Sequence, residues 1–174
     1  MYERYVQVLY NYGYKIAQDS QLVEDCLQDV FLALLEYRER LSPTDSIKFY
    51  LFRALRREIV RKLRENDRFC SEEEADFRAV FGVDGTWLDG QVARDQIDEL
   101  LTALNLLPPR QKEAVHLRYF ENLSYEEIAG VMGIEQSSAY KVIYKAIDNL
   151  QRRFVPAFLL LLQQLTLPDT HPGR

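Results

Sequence analysis

Residues 123–136 read Leu-Ser-Tyr-Glu-Glu-Ile-Ala-Gly-Val-Met-Gly-Ile-Glu-Gln, and this stretch decides the fold of the C-terminal part of the chain. Ser124 and Glu127 have the spacing of a capping box, in which the serine caps a helix and the glutamate bonds back to the serine amide. Gly133 follows the apolar residues of that short helix and can adopt the positive φ that ends it. A second helix is therefore predicted to begin near Gln136.

The flanking residues extend this stretch into a helical unit. Pro109 suits the first position of an earlier helix that runs to about Phe120. Two helices joined by a glycine turn, with a polar and basic outer side on the second, are typical of a helix-turn-helix, although an ordinary helical hairpin shares part of this pattern. The second helix can enter the major groove, where hydroxyl and ammonium groups contact phosphates and base edges. Its outward residues are Ser137, Ser138, Tyr140, Lys141, Tyr144 and Lys145.

Residues 21–41 predict an amphipathic helix in the N-terminal part of the chain. Its apolar stripe includes Val23, Leu27 and Phe31. A solvated surface would explain the carboxylates on the opposite side, but an apolar Leu32 among them favours a docking surface. We call this surface the acidic face; it consists of Asp25, Gln28, Asp29, Leu32 and Glu36.

Residues 46–64 predict a second amphipathic helix, with arginines opposite Leu51 and Leu55. Glu58 is expected on the other side, so that no acid interrupts the arginine stripe. Arginines in such a row bind a nucleic-acid backbone through paired donors, although a solvated face is the alternative. Tyr50 is a candidate for stacking on an unpaired base. The arginines are Arg53, Arg56, Arg57, Arg61 and Arg64.

The net charge of −5 is unevenly distributed. Residues 1–64 carry a net charge of +2, residues 65–99 of −8 and residues 100–153 of +1. No segment alternates like a strand, so the sequence predicts an all-α protein: an N-terminal helical bundle (1–64) and a C-terminal helix-turn-helix domain (100–155), joined by an acidic linker (65–99). Residues 156–174 form an apolar tail. It could pack on its own domain, contact a partner or clasp the two lobes.

Several classes of function are disfavoured by composition. Cys26 and Cys70 are isolated, which argues against a zinc ribbon or a disulfide framework and suits a reducing cytoplasm. No apolar run is long enough to span a membrane. His116 and His171 lack partners at catalytic or metal-binding spacing. We therefore expect a protein that is not an enzyme, has no catalytic residues, metal or cofactor, and does not insert into membranes.

Four motifs together resemble bacterial RNA polymerase sigma factors, and the layout is similar to the two-domain extracytoplasmic-function group. Residues 25–31, Asp-Cys-Leu-Gln-Asp-Val-Phe, look like the D-x-x-Q-[DE]-x-F signature of these proteins. Residues 50–57 resemble the helix that melts the promoter. Residues 107–112 and 123–129 resemble the start and the helix-turn-helix of the C-terminal domain.

This resemblance implies a role for each surface. The acidic face would dock on the clamp helices of the largest (beta-prime) subunit of core RNA polymerase. Residues 42–50 and the arginine helix would bind and open the minus-10 element of promoter DNA, and the second helix of the helix-turn-helix would read the minus-35 element. The resemblance also implies a cytoplasmic protein that directs transcription initiation and is restrained by an anti-sigma factor.

Two other functions remain open from the residues alone. A conventional helix-turn-helix repressor or activator with a dimerising N-terminal lobe would explain the second lobe, but not the acidic face together with the arginine helix. A helical adaptor that binds no DNA would leave unexplained the arginines and the second helix of the helix-turn-helix, which we call the recognition helix.

Overall fold

The computed structural model describes residues 2–36, 46–65, 77 and 91–153, and all regular secondary structure in these ranges is helical. The predicted all-α class is thus confirmed. Within the described ranges, every helix is too short or too polar to cross a lipid bilayer. The helices are α1 (Tyr2–Ala17), α2 (Ser20–Glu36), α3 (Ile47–Glu65), α4 (Gln91–Asn105), α5 (Pro109–Val115), a π-helix (His116–Phe120), α6 (Tyr125–Met132) and α7 (Gln136–Arg153).

Helices α1, α2 and α3 pack pairwise and form the N-terminal lobe. Their facing side chains, including Leu9, Leu27 and Leu55, are buried, and removing this apolar area from water stabilises the bundle. The three helices approach one another closely at Gly13, where an added Cβ would lie 2.9 Å from Val23 Cγ1 and 3.0 Å from Ile59 Cδ1. A glycine is needed here because the neighbouring side chains already occupy the space of a larger residue.

The C-terminal lobe is arranged around α7, which packs against α4, α5 and α6. Helix α5 begins at Pro109 as predicted, and its last turns widen into the π-helix, in which the Glu121 amide donates to the His116 carbonyl over 3.1 Å. The chain then turns at Asn122, which has a φ of 55°. The predicted extent of this helix, to Phe120, is confirmed, while its final turns are wider than an α-helix.

Helix α2 is described as far as Glu36, and residues 37–41 of the predicted helix lie outside the described ranges. Helix α4 includes residues 91–99, which the charge pattern places in the linker. The buried residues of this helix, Leu100, Ala103 and Leu104, lie in its C-terminal half. Residues 66–76, 78–90 and the predicted apolar tail 156–174 lie outside the described ranges.

Candidate nucleic-acid interface

Hydrogen bonds cap the N-terminus of α6, the first helix of the helix-turn-helix. Ser124 Oγ accepts from the Glu127 amide over 3.2 Å, and Glu127 Oε2 accepts from the Ser124 amide over 2.8 Å, which confirms the capping box. Gly133 ends α6 with a φ of 66°, as predicted. Burial alone would raise the pKa of Glu127, but the hydrogen bonds from Ser124 and from the Ser46 hydroxyl outweigh it and lower the pKa.

Helix α7 presents its predicted DNA-facing residues on one side. Opposite them, Ala139, Ile143 and Leu150 are buried, as the helical periodicity predicted. Ser138 is half-buried and the other five candidates are exposed: Ser137, Tyr140, Lys141, Tyr144 and Lys145. The arrangement offers hydroxyl, aromatic and ammonium groups to a groove of DNA.

An aromatic stack links α7 to α6, a feature that the sequence analysis missed. The rings of Tyr125 and Tyr140 are stacked with their centroids 3.9 Å apart and their planes 15° from parallel. The Arg118 guanidinium lies 5.0 Å from the centre of the Tyr125 ring on the π-helix side of this pair. The recognition helix is therefore held to the preceding helix through its exposed side as well as its buried one.

The acidic face of α2 is exposed at all five predicted positions: Asp25, Gln28, Asp29, Leu32 and Glu36. Leu32 is 57% exposed, and Leu35 beside it, which the sequence analysis did not select, is 63% exposed. Two large apolar side chains in water next to carboxylates form the kind of surface that a protein partner covers. Asp29 also binds Lys62 of α3, with 2.6 Å between Oδ2 and Nζ.

The predicted uninterrupted arginine stripe is wrong at Arg61. Arg61 Nε donates to Glu58 Oε2 over 3.1 Å, and further hydrogen bonds join its guanidinium to Glu58 and Glu65. Glu58 lies one helical turn from Arg61, close enough for a long guanidinium side chain to reach around the helix. Arg57 and Arg64 are exposed, as predicted.

The predicted exposure of the whole stripe is also wrong at Arg56, which is buried between the two lobes. Its Nε donates to Glu113 Oε1 over 2.7 Å. Arg53 is half-buried, with its guanidinium 5.8 Å from the centre of the Phe49 ring, and Tyr50 is half-buried as well. The physical reason is that α3 packs against α6 of the other lobe, a contact that no local pattern encodes.

Further groups at the contact between the lobes are titratable or aromatic. His116 lies 3.4 Å from Lys15 through Nδ1 and 3.4 Å from Glu121 through Nε2. Burial and the charges of Lys15 and Lys48 lower the pKa of His116 to about 3, so its ring is neutral at pH 7. Phe77, in the segment predicted as linker, is buried against the rings of Tyr12 and His116.

Among the described residues, Cys26 is a further candidate for chemistry, and it is buried. Burial raises the pKa of the Cys26 thiol to about 12, which keeps it protonated and unreactive. No group of three or more His, Cys, Asp or Glu side chains in the described residues is placed to hold a metal ion.

Comparisons with known proteins agree on one family. Residues 1–69 match the family described as Sigma-70 region 2, and residues 97–150 match Sigma-70, region 4. RNA polymerase sigma factor CarQ of Myxococcus xanthus is 30% identical over 140 residues, which cover 79% of this chain and 77% of CarQ. ECF RNA polymerase sigma factor SigM of Bacillus subtilis is 22% identical over 152 residues, which cover 87% and 91% of the two chains.

Solved structures show the same fold. The chain is similar to the sigma factor RpoE from Bartonella quintana, solved in complex with the anti-sigma factor NepR, with a TM-score of 0.59 and 21% identity over 89% of this chain and 94% of RpoE. It is also similar to CnrH, solved in complex with the cytosolic domain of CnrY, with a TM-score of 0.52 and 20% identity over 87% and 82% of the two chains.

Proposed function

This chain belongs to the sigma-70 family of RNA polymerase sigma factors, and we propose that three of its surfaces bind different partners during transcription initiation. As a sigma factor it binds core RNA polymerase and directs it to promoters. The acidic face is assigned to core polymerase, the arginine helix α3 to the minus-10 element and helix α7 to the minus-35 element. As a specificity subunit the chain itself performs no covalent chemistry, and it acts in the cytoplasm.

The assignment of the acidic face rests on the exposure of Leu32 between carboxylates. Leu32 and Leu35 are each more than half exposed. Burying them against a partner removes their apolar surface from water, which favours binding. Asp25, Asp29 and Glu36 surround them with negative charge, which selects a positively charged partner. The beta-prime clamp helices are the partner that the family resemblance implies.

The minus-10 assignment rests on α3. Arg57 and Arg64 offer exposed guanidinium groups that suit phosphates, and Tyr50, Arg53 and Arg56 lie nearer the contact between the lobes. Arg61 is exposed as well, and Glu58 and Glu65 pair with its guanidinium group. Opening of the duplex exposes unpaired bases, on which an aromatic side chain such as Tyr50 can stack.

The minus-35 assignment rests on the capped α6 and the exposed face of α7. In a helix-turn-helix the second helix enters the major groove, and its N-terminal residues contact base edges. Ser137 lies near the start of α7, and Lys141 follows one turn later. Lysine and tyrosine side chains further along, including Lys145, offer hydrogen-bond donors that suit phosphates.

An anti-sigma factor is a further proposed partner. Support comes from the solved relatives, since RpoE was solved with the anti-sigma factor NepR. The acidic face and α3 are the surfaces that such a regulator would have to cover to block both polymerase and DNA.

The experiment that tests this function is promoter-specific transcription by core RNA polymerase supplemented with the purified chain. We expect run-off transcripts from a cognate promoter only when both are present. A conventional repressor or activator would bind duplex DNA without core enzyme and would start no transcription with it. An adaptor would do neither, so either pattern contradicts the proposed function.

A further inference from the structure

Three side chains in contact lead from the π-helix to the recognition helix: Arg118, Tyr125 and Tyr140. The Arg118 guanidinium lies 5.0 Å from the centre of the Tyr125 ring. The Tyr125 ring stacks on that of Tyr140, with 3.9 Å between the centroids and 15° between the planes. Arg118 and Tyr125 are half-buried, and Tyr140 is 41% exposed. This set, which we call the stacked series, thus ends at a side chain of the surface assigned to the minus-35 element.

Arg118 is itself held in place by the backbone. Its Nη1 donates to the Leu123 carbonyl over 2.8 Å, and the Leu123 amide donates to the Leu117 carbonyl over 3.0 Å. Leu117 and Leu123 are buried, and Leu123 directly precedes Ser124, which caps α6. A planar guanidinium can donate a hydrogen bond at its edge while its face lies over an aromatic ring. Arg118 therefore fixes the Tyr125 ring relative to the turn before α6.

The stack restricts the side chain of Tyr140, although this residue lies on the outer side of α7. One face of its ring is covered by Tyr125, which leaves the other face, the ring edge and the hydroxyl for DNA. An exposed side chain normally changes rotamer within nanoseconds, and each side chain that must be ordered on binding weakens the complex. An aromatic pair contributes about two- to tenfold to an equilibrium constant. Tyr140 is therefore largely held in one orientation before DNA binds.

We propose that Arg118 is a positioning residue for promoter recognition: through Tyr125 it holds the Tyr140 ring in the orientation that reads the minus-35 element. This inference rests on the proposed minus-35 role of α7. Arg118 and Tyr125 belong to none of the three surfaces assigned above. Because contacts to base edges carry the sequence information, the stacked series acts on discrimination between base sequences rather than on affinity for the phosphate backbone.

A direct phosphate contact is the other role open to an arginine in a DNA-binding lobe. The Arg118 guanidinium already donates to a backbone carbonyl and lies beside an aromatic ring, which favours positioning. The two roles differ in their consequences. Loss of a phosphate contact weakens binding to all sequences and lowers the salt slope by about one, whereas loss of positioning weakens binding to the preferred sequence most.

Four variants of the full chain separate the contacts of the stacked series. Arg118→Ala removes the cation and its hydrogen bond, and Tyr125→Leu removes the stack but keeps an apolar side chain. Tyr125→Phe keeps an aromatic ring and is the conservative variant. Arg152→Ala is the control, because it removes from the same lobe an arginine that is paired with Asp148. Circular dichroism checks that each variant retains its helix content.

Nuclear magnetic resonance reports whether the stack is formed. A ring stacked on Tyr140 shifts the ring-proton resonances of Tyr140 upfield. We expect this upfield shift to be lost in Tyr125→Leu, reduced in Arg118→Ala, and kept in Tyr125→Phe and Arg152→Ala. An unchanged shift in Arg118→Ala would contradict the role of Arg118 in holding the two rings together.

Sequence preference is measured with the holoenzyme formed from core RNA polymerase and each variant, by selection from a DNA library randomised at the minus-35 element. Tyr125→Phe and Arg152→Ala should select the same sequence as wild type with the same discrimination. Arg118→Ala and Tyr125→Leu should each lose about two- to tenfold in discrimination at one or two adjacent base pairs, with an unchanged salt slope. Combined, they should lose no more than the larger single loss, because both break the same series.

The positioning role is overturned by any of three results in this selection. Equal weakening toward all sequences in Arg118→Ala, with a salt slope reduced by about one, would assign Arg118 to a phosphate. An unchanged preference despite a lost upfield shift would make the stack purely structural, while the minus-35 role of α7 stands. A wild-type holoenzyme that selects no minus-35 sequence would contradict the role of α7 and this inference with it.

Discussion

Lys62 Nζ lies 2.6 Å from Asp29 Oδ2, so the arginine helix α3 holds a carboxylate of the acidic face of α2 in place. Asp29 is half-exposed in this pair and keeps one side toward solvent. We expect Asp29→Arg to abolish binding to core RNA polymerase, because it reverses the charge next to Leu32. The fold should survive, since a surface ion pair contributes only about 0–1 kcal/mol. Surface plasmon resonance on immobilised core enzyme measures the loss.

Two companion variants separate docking from local structure. The swap Asp29→Lys with Lys62→Asp keeps an ion pair between α2 and α3 but removes the acid from the face, so it too should fail to bind. Glu99→Arg, on the exposed side of α4, makes the same reversal elsewhere and should bind like wild type. Retained binding by Asp29→Arg would refute the assignment of the acidic face.

The capping box predicts a specific loss of stability. Ser124→Ala removes the acceptor of the Glu127 amide and should lower the free energy of unfolding by about 1 kcal/mol, within the usual range of about 0.5–2 kcal/mol. Ser124→Asp retains an acceptor and should lose much less. Urea unfolding followed by circular dichroism tests both. Equal losses for the two variants would show that the side-chain cap is not what stabilises α6.

Interactions between residues that are close in the sequence, such as this helix cap, could be predicted from the sequence. Ser124, Glu127 and Gly133 act within ten residues of one another, and the predicted helix, cap and stop are all confirmed. The Arg56–Glu113 pair joins residues 57 positions apart, and the Tyr12–Glu113 hydrogen bond joins residues 101 positions apart. The helical periodicity of the sequence cannot predict contacts over such separations. Arg56 was therefore predicted as exposed, since an arginine on the polar side of a helix normally is.

The buried His116 should make stability depend on pH. Its pKa is about 3 in the folded chain and about 6.5 when unfolded, so the unfolded state takes up a proton first. Stability from this group is full above about pH 6.5 and falls as the pH decreases toward 3. Lys15 and Lys48 oppose protonation of the folded state, and Glu121 at 3.4 Å favours it.

We expect His116→Gln to remove this part of the pH dependence. Between pH 7 and pH 5 the wild type should lose about 2 kcal/mol more than the variant, from one additional proton bound by the unfolded state. Urea titrations at a series of pH values measure the difference. Parallel curves for the two proteins would mean that His116 is protonated in the folded chain as readily as in the unfolded one.

Lys145 should act on DNA as a point charge. Lys145→Ala removes one phosphate contact, so the slope of log affinity against log salt should decrease by about one while sequence preference is kept. Arg152→Ala provides a control, because Arg152 is paired with Asp148 at 2.9 Å. Binding of the holoenzyme to promoter DNA at several salt concentrations gives the slopes. An identical slope for Lys145→Ala and wild type would place this side chain away from the backbone.

Gly13 should tolerate no larger residue. Gly13→Ala brings a methyl group to within 3.0 Å of Val23 and Ile59, and such overpacking costs about 1–3 kcal/mol, against a gain of about 0.5–1 kcal/mol in helix propensity. The net result should be a lower urea midpoint. Adding Val23→Ala makes room, so the double variant should be more stable than the sum of the two single changes. Strict additivity would contradict a direct clash.

The stacked rings of Tyr125 and Tyr140 have a consequence for how promoter preference can change. Because the stack ties α7 to α6 at the flank of its buried stripe, a change in the angle of α7 would break the stack. A new promoter preference is therefore most easily obtained by substituting outward side chains, such as Ser137 and Lys141, while the backbone stays unchanged. The lobe is suited to grafting, in which the exposed residues of another recognition helix are transplanted while the aromatic pair keeps the docking angle constant.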